Sequence, residues 1–263
     1  MCMEEICYWV WLSKIEMLGS IKAQRLLEIY NHPREIWKCK KEDLIKVDGI
    51  GEKIAEEILN NKYRIGLENE IKKMEREKVE LISLQDENYP QNLRQIYDNP
   101  IVLYVKGDKK LLNEFSLAII GCRENSSYGK EVARAVSKGL AKQKIITISG
   151  LARGIDSICH RETLKEKGKT IAVIGSGLDI IYPYENINLA KEIVKEEGLI
   201  VSEYPLGTKA VKMNFPARNR IISALSSGII VIEAKKKSGT MTTVDFALEQ
   251  GKTVFAIPRK YNK

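Results

Sequence analysis

The sequence predicts an α/β protein in which a small all-α part precedes a doubly wound, mostly parallel sheet. Apolar residues recur three and four positions apart through residues 4–80, which is typical of helices. From residue 116 onward, short and almost continuously apolar runs alternate with amphipathic segments of helix length. Such runs are typical of strands covered on both faces, and their alternation with helices favours a parallel sheet. We therefore expect two domains, residues 1–80 and 81–263.

A glycine-containing turn interrupts the helical pattern of the first domain. Gly49 and Gly51 flank Ile50 between two helical segments, and Ile54 and Ile58 follow at helical spacing. This arrangement resembles a helix-hairpin-helix, in which the second helix offers free N–H groups to a phosphate. The alternative is a packing corner without a ligand, which the nearly balanced charge of this domain favours.

The second domain begins with a bridge that contains turn-forming residues at 89–90 and 99–100, followed by a strand at 101–105. Six further strands are predicted at 117–120, 145–148, 171–174, 199–201, 229–232 and 254–257. The clearest intervening helices are 128–143, 186–197 and 241–250. Sheets of this kind bind ligands at the carboxyl ends of their strands, so we expect a site among the loops that follow them.

Charge is distributed unevenly between the two domains. The chain has 263 residues and a formal net charge of +8. Residues 1–80 hold 15 basic and 16 acidic side chains, whereas residues 81–263 hold 28 and 19. The whole positive excess therefore lies in the second domain, which predicts a polyanion partner for it. A basic surface that serves solubility alone is the alternative.

Cysteine and histidine usage argues against disulfide and metal sites. The five cysteines form no CxxC pair, and there are only two histidines. The first twelve residues lack the basic start of a signal peptide, and no apolar run reaches membrane-spanning length. We therefore expect a reduced, cytoplasmic protein with no membrane association.

Glycines, small hydroxyls and arginines follow the predicted strands. Glycine lets the backbone approach a ligand, and helix N-termini bind anions. Each such loop could also be an ordinary connection. The candidate residues in these loops are Arg123, Gly150, Arg153, Ser238, Gly239 and Thr240.

A basic and aromatic block at residues 214–226 opens a predicted helix. Arg218, Asn219 and Arg220 follow Phe215, and an apolar run comes next. Guanidinium groups bind phosphates, and an aromatic ring beside them can stack on an unpaired base. The alternative is a helix cap with a structural arginine ion pair.

No arrangement of residues predicts catalysis, a metal or a cofactor. Gly175 and Gly177 lack the third glycine of a dinucleotide-binding fingerprint, and no P-loop is present. Asp156 and His160 share one helix face and could orient each other, although a local helix contact is the simpler interpretation. The carboxylates Asp179, Glu203 and Glu233 follow strands, but no spacing singles out an acid–base pair.

Several ordered blocks of this sequence resemble the DNA-processing protein A family, also called DprA or Smf. The resemblance is strong over about 81–258 and loose over 1–80. The blocks are Ala118–Arg123, Ser149–Asp156, Gly175–Asp179 with Tyr182-Pro183, Ser202–Pro205, Phe215–Ser223, Glu233-Ala234 with Ser238-Gly239, and Val254–Pro258.

The resemblance implies an extended Rossmann-like domain behind a SAM-like helical domain. It also implies a competence protein that binds and protects single-stranded DNA and helps to load RecA recombinase in natural transformation, without enzymatic turnover. Arg123, Lys212, Phe215 and the 218–220 block are the residues it places in the DNA groove. Phosphates are expected at Arg123 and Lys212, and a stacked base at Phe215.

Two departures from the family pattern stand out. Cys122 occupies a position where the family has a small residue, and little change is expected from it. Family members continue beyond the Val254–Pro258 block with a glycine-rich region used in dimerisation, whereas this sequence has residues 259–263. A homodimer is therefore an open expectation. Two other functions stay open: an enzyme that processes nucleotides, and a duplex-binding protein that uses the hairpin of the first domain.

Overall fold

A computed structural model describes residues 3–236 and 238–258, with side chains from residue 5 onward. Its first part is entirely helical, as the apolar spacing predicts. The tryptophans Trp9 and Trp11 lie at the centre of this part and are almost completely buried. His32 caps the third helix, whose first residue is Pro33. The helices are α1 (Met3–Lys14), α2 (Gly19–Tyr30), α3 (Pro33–Lys38), α4 (Lys41–Leu44), α5 (Glu52–Leu59) and α6 (Leu67–Glu77).

The second part is built on one eight-stranded sheet, which confirms the predicted α/β class. The strands are β1 (Glu80–Ser83), β2 (Val102–Gly107), β3 (Ser116–Gly121), β4 (Ile146–Ser149), β5 (Thr170–Ile174), β6 (Leu199–Ser202), β7 (Gly228–Glu233) and β8 (Thr253–Ala256). Their spatial order is β1-β2-β6-β5-β4-β3-β7-β8. The pairs β1–β2 and β2–β6 are antiparallel, and the other neighbours are parallel. Strand β1 lies in the bridge, where the sequence predicted only turns.

Helices cover both faces of the parallel strands. Neighbouring residues of β3 pack against helices on opposite faces, because successive strand side chains point to opposite sides of a sheet. Ile119 packs in a cluster with Ala133 and Ile155 on one face, whereas Ile120 packs with Ile221 on the other. The helices are α7 (Gln91–Arg94), α8 (Ser127–Lys142), α9 (Ile155–Lys165), α10 (Ile187–Lys195), α11 (Asn214–Leu225) and α12 (Gly239–Glu249).

The helical part and the sheet share one hydrophobic cluster. This cluster joins Trp9 and Leu26 of the helices to Tyr104 of β2 and Ile174 of β5. At the same junction Ser13 Oγ lies 2.8 Å from the Tyr104 hydroxyl, and Gln24 Nε2 donates to the Asn99 carbonyl at 2.6 Å. The helical pattern ends and the sheet begins between residues 77 and 80. The division into two domains at 1–80 and 81–263 stays a prediction.

The chain reverses its direction of travel across the sheet at β3. From β3 it proceeds through β4 and β5 to β6 on one side, and β7 and β8 lie on the other. The loops after β3 and β7 therefore diverge and leave a crevice between them, as expected at the switch point of a doubly wound sheet.

Candidate nucleic-acid interface

A groove of about 700 Å³ opens at the carboxyl ends of β3 and β7. We call it the strand-end groove. It is lined by the loop after β3, the segment before α11, one face of α11, the loop after β7 and the start of α12. Its lining side chains include Arg123, Tyr182, Lys212, Phe215, Arg218, Asn219, Lys235 and Thr240.

Arg123 stands at the mouth of this groove with its side chain exposed. Gly154 fixes the backbone beneath it. Gly154 has φ +75°, and a side-chain carbon there would clash with the carbonyl oxygens of Cys122 and Arg123. The Arg123 guanidinium carbon lies 5.6 Å from the centre of the Phe215 ring. A cation and a flat ring are thus presented side by side, as phosphate and base recognition requires.

Phe215 is half-buried between Arg123 and a second aromatic residue. Its ring centre lies 5.6 Å from that of Tyr182, which is 49% exposed. Lys212 lies three residues before Phe215, is exposed and lines the groove. The geometry therefore brings Arg123, Lys212 and Phe215 together, which the sequence could not establish.

The N-terminus of α12 forms the opposite wall. Ser238, Gly239 and Thr240 all line the groove. The Ser238 hydroxyl donates to the Lys235 carbonyl at 2.8 Å and caps no N–H group of α12. The positive end of the α12 dipole consequently faces the groove and favours an anion there.

Arg218 lies at the floor of the groove and holds the loops together. It is 4% exposed and donates to the carbonyl oxygens of Gly150, at 2.6 Å, and Val173. Burial lowers its pKa to about 10. Asn219 beside it accepts from Arg218 Nε at 3.1 Å and donates to the Gly239 carbonyl at 3.1 Å. These two residues join the ends of β4 and β5 to α12.

The backbone of Gly150 takes part in the same hydrogen-bond network. Its N–H donates to Asp156 Oδ2 at 3.1 Å, and its carbonyl accepts from Arg218. Burial raises the pKa of the Asp156 carboxyl. A side-chain carbon at Gly150 would lie 2.7 Å from Asp156 Oδ2 and 2.8 Å from the Arg218 guanidinium. Glycine at this position therefore makes room for a buried acid and base.

Three predicted residues are absent from the lining of the strand-end groove, and they are Gly150, Arg153 and Arg220. Arg220 is absent from the groove lining and is buried at the start of β2 and the end of β6. It binds Glu203 through two nitrogens, at 2.9 and 2.7 Å, and Asp98 at 2.8 Å. Arg153 is exposed and forms a two-nitrogen pair with Glu185 at 2.9 Å. It borders a smaller hollow that also contacts Tyr182 and Phe215.

Asp156 and His160 do not orient each other. His160 is fully buried, and its Nδ1 lies 2.7 Å from the hydroxyl of Thr170. Burial lowers the pKa of His160 to about 3. This histidine is therefore a neutral core residue between α9 and β5, and the structure shows no hydrogen bond between it and Asp156, which binds the N–H groups of Gly150 and Ala152 instead.

Sequence reasoning missed two lining residues. Tyr182 belongs to the Tyr182-Pro183 block of the family resemblance and was not predicted to line the site, although an aromatic residue after a strand is a usable signal for stacking. Lys235 is exposed beside the groove and lies 3.5 Å from Glu124 across its rim. The Lys235-Lys236 pair after β7 could have indicated this cation.

The hairpin of the helical part shows the predicted glycine turn. Gly49 has φ +81°, and Gly51 precedes α5 without a side-chain cap. Arg25 donates to Asp48 Oδ2 at 2.6 Å and so pairs with an acidic residue beside the turn. Phosphate binding at this hairpin stays a prediction.

Within residues 3–236 and 238–258, no cluster of three or more histidine, cysteine or acidic side chains could hold a metal ion. None of the helices in this range is long and apolar enough to cross a membrane.

Several known proteins are similar to this chain in both sequence and fold. A sequence model of the family described as DNA recombination-mediator protein A matches residues 80–263. Protein Smf of Synechocystis is 36% identical over 98% of this chain. DNA processing protein DprA of Bacillus subtilis is 44% identical over 68% of it. The chain spans 66% of the Synechocystis protein and 61% of the B. subtilis protein.

Two solved structures match as well. The X-ray structure of DNA processing protein A from Streptococcus pneumoniae has a TM-score of 0.82 and 35% identity, and the match covers 97% of this chain and 87% of that one. A structure of DNA processing protein A from Helicobacter pylori, described as giving insight into its single-stranded DNA binding mode, has a TM-score of 0.64 and 35% identity. That match covers 71% of this chain and 83% of the H. pylori chain.

Proposed function

This chain belongs to the DNA recombination-mediator protein A family, and on that premise we propose that it binds single-stranded DNA in the strand-end groove. The observation that carries the proposal is the convergence of Arg123, Lys212 and Phe215 beside the N-terminus of α12. Cations and a helix dipole attract phosphates, whereas an accessible ring accepts an unpaired base. The H. pylori relative, whose description names single-stranded DNA binding, supports the same ligand.

The walls of the groove suit a single strand better than a duplex. A half-buried ring between Arg123 and Tyr182 is reached by a base that is free of its partner. Arg218 and Asn219 form a rigid floor and contribute shape and positive potential, with their own hydrogen bonds already made. We propose that the exposed side chains bind the strand and that the buried ones hold the walls in place.

Charge removal at the groove tests the phosphate contacts. We expect Arg123→Ala and Lys212→Ala each to weaken single-stranded DNA binding without unfolding the protein. Each should reduce the slope of log K against log salt by roughly 0.7 to 1 unit, because each lost phosphate contact releases fewer counterions. Lys142→Ala is the matched control, since Lys142 is exposed and ends α8 at the opposite end of the parallel strands. Unchanged affinity in both groove variants would exclude the groove.

Removal of the ring tests stacking separately. We expect Phe215→Ala to cost about 1–3 kcal/mol of single-stranded DNA binding and to leave the salt slope nearly unchanged. Phe215→Trp should retain binding, because it keeps a flat ring. Phe115→Ala is the control, since Phe115 is exposed just before β3 and far from its carboxyl end. A large fall in melting temperature with normal binding by the folded fraction would assign Phe215 to the core instead.

We further propose that the bound strand is protected and passed to RecA recombinase, as the family implies, and that the chain carries out no catalytic turnover. Fluorescently labelled RecA should assemble faster on single-stranded DNA coated with single-strand-binding protein when this chain is present. Arg123→Ala should lose that stimulation. The DNA should be recovered at its original length on a denaturing gel, and shortened strands would instead support the alternative of an enzyme.

A further inference from the structure

The helical part contains a second cavity, of about 440 Å³, which shares no residue with the strand-end groove. It lies between α1, the end of α3 and the start of α6. Its lining residues are Cys7, Tyr8, Trp37, Arg64, Gly66, Leu67, Glu68 and Asn69. No part of the proposed DNA binding uses these residues.

Arg64 brings an uncompensated positive charge to this cavity. Its guanidinium carbon lies 4.2 Å from the centre of the Trp37 ring, and Nη2 donates to the Trp37 carbonyl at 2.9 Å. Its Nε is buried and has no hydrogen-bond partner within residues 3–236 and 238–258. Burial lowers the pKa of Arg64.

Ion pairs neutralise several cations of this part but not Arg64. Lys14 pairs with Glu70, Arg25 with Asp48, and Lys62 with Glu57. Arg64 takes part in no salt bridge across the described chain. A half-buried guanidinium without a carboxylate favours an anion supplied from outside.

The start of α6 adds to the same preference. Gly66 precedes α6 with φ +80° and supplies no side-chain cap, so the first N–H groups of this eleven-residue helix lack a side-chain acceptor, and residues 66–69 line the cavity. The acidic surroundings of the cavity favour a ligand with a single carboxylate over a polyphosphate. Glu68 lies on the rim, and residues 1–80 carry 16 acidic against 15 basic side chains.

Apolar surface beside Arg64 indicates that the ligand carries an apolar group next to its carboxylate. Ile65 is 74% exposed, and the Tyr8 ring packs edge-on against Trp37 with 5.4 Å between centres. Tryptophan, tyrosine and arginine dominate the energetic centres of protein–protein interfaces. We propose that this cavity is a docking site for a partner protein segment that presents a carboxylate next to an apolar side chain.

The test uses the ¹⁵N-labelled full chain and three small probes. They are 3-phenylpropionate, its uncharged isostere 3-phenylpropionamide, and thymidine monophosphate. We expect 3-phenylpropionate to shift the amides of residues 64–69 and the Trp37 indole, with at least fivefold tighter binding than the amide probe. Equal binding of these two probes, or no shift with either, would overturn the proposal. Tighter binding of thymidine monophosphate at residues 64–69 would overturn it in favour of a nucleotide site, whereas shifts confined to the strand-end groove belong to the proposed DNA site.

Variants assign the effect to the cavity. Arg64→Met should abolish the preference for the carboxylate, and Arg64→Lys should retain part of it. Glu68→Gln is an exposed change that should tighten carboxylate binding by removing a like charge, so the test does not depend on the folding of Arg64 variants. Arg123→Ala should leave the 3-phenylpropionate shifts of residues 64–69 unchanged, whereas it should weaken the binding of thymidine monophosphate in the strand-end groove. A loss of the effect in that groove variant would contradict a separate site.

Discussion

Replacing Arg220 by methionine is expected to destabilise the protein by about 3 kcal/mol while leaving the single-stranded DNA affinity of the folded protein unchanged. Arg220 is 4% exposed and binds Glu203 and Asp98 through three ion-pair contacts. Removal of the guanidinium leaves the partly buried Glu203 carboxylate without its counter-ion, which is the costly part of breaking such a pair.

Urea unfolding and a DNA titration on the same variant measure the two effects. A loss of this size in a chain of 263 residues corresponds to a fall of roughly 6–12 °C in melting temperature. Arg220→Lys should be intermediate, because lysine keeps the charge but cannot bind Glu203 through two nitrogens. A tenfold loss of DNA affinity with normal stability would instead place Arg220 in the DNA contact.

The separation of Arg218 from Arg220 follows from helix geometry. Successive residues of a helix are about 100° apart, so residues two positions apart point to nearly opposite sides. Phe215, Arg218, Asn219 and Ile222 are spaced by three and four, and all four line the groove. The sequence contains this information, because helical spacing within residues 214–226 places Arg218 and Arg220 on different faces of one helix.

Other parts of the site depended on the three-dimensional fold. Apolar runs predicted the parallel strands well, because burial on both faces leaves a clear pattern. β1 was not predicted, since Glu80–Ser83 is short and pairs only at an antiparallel edge. The ion pair of Arg153 with Glu185 and the bonds of Arg218 to Gly150 are contacts between distant residues, for which one sequence carries no spacing signal.

Acid is expected to destabilise the protein through His160, well above the pH at which carboxylates titrate. An unfolded histidine has a pKa near 6.5, whereas burial lowers the pKa of His160 to about 3. As the pH falls below about 6.5, the unfolded chain takes up a proton that the native state excludes. The stabilisation is therefore complete above pH 6.5 and declines towards pH 3. The expected loss between pH 7 and pH 5 is about 2 kcal/mol, rising to about 3 kcal/mol at pH 4.

Comparison with His160→Gln isolates this contribution. Glutamine does not titrate, so the difference in free energy of unfolding between the wild type and this variant should fall by the same amounts over the same range. His32→Asn is the control: asparagine keeps a capping acceptor for α3, and the acid sensitivity due to His160 should persist. Burial and the nearby cations Arg218 and Arg161 all oppose the protonation of His160, so each of them lowers its pKa. A wild type and a His160→Gln variant with parallel stability curves from pH 7 to pH 4 would show that this histidine is protonated equally in the folded and unfolded chain.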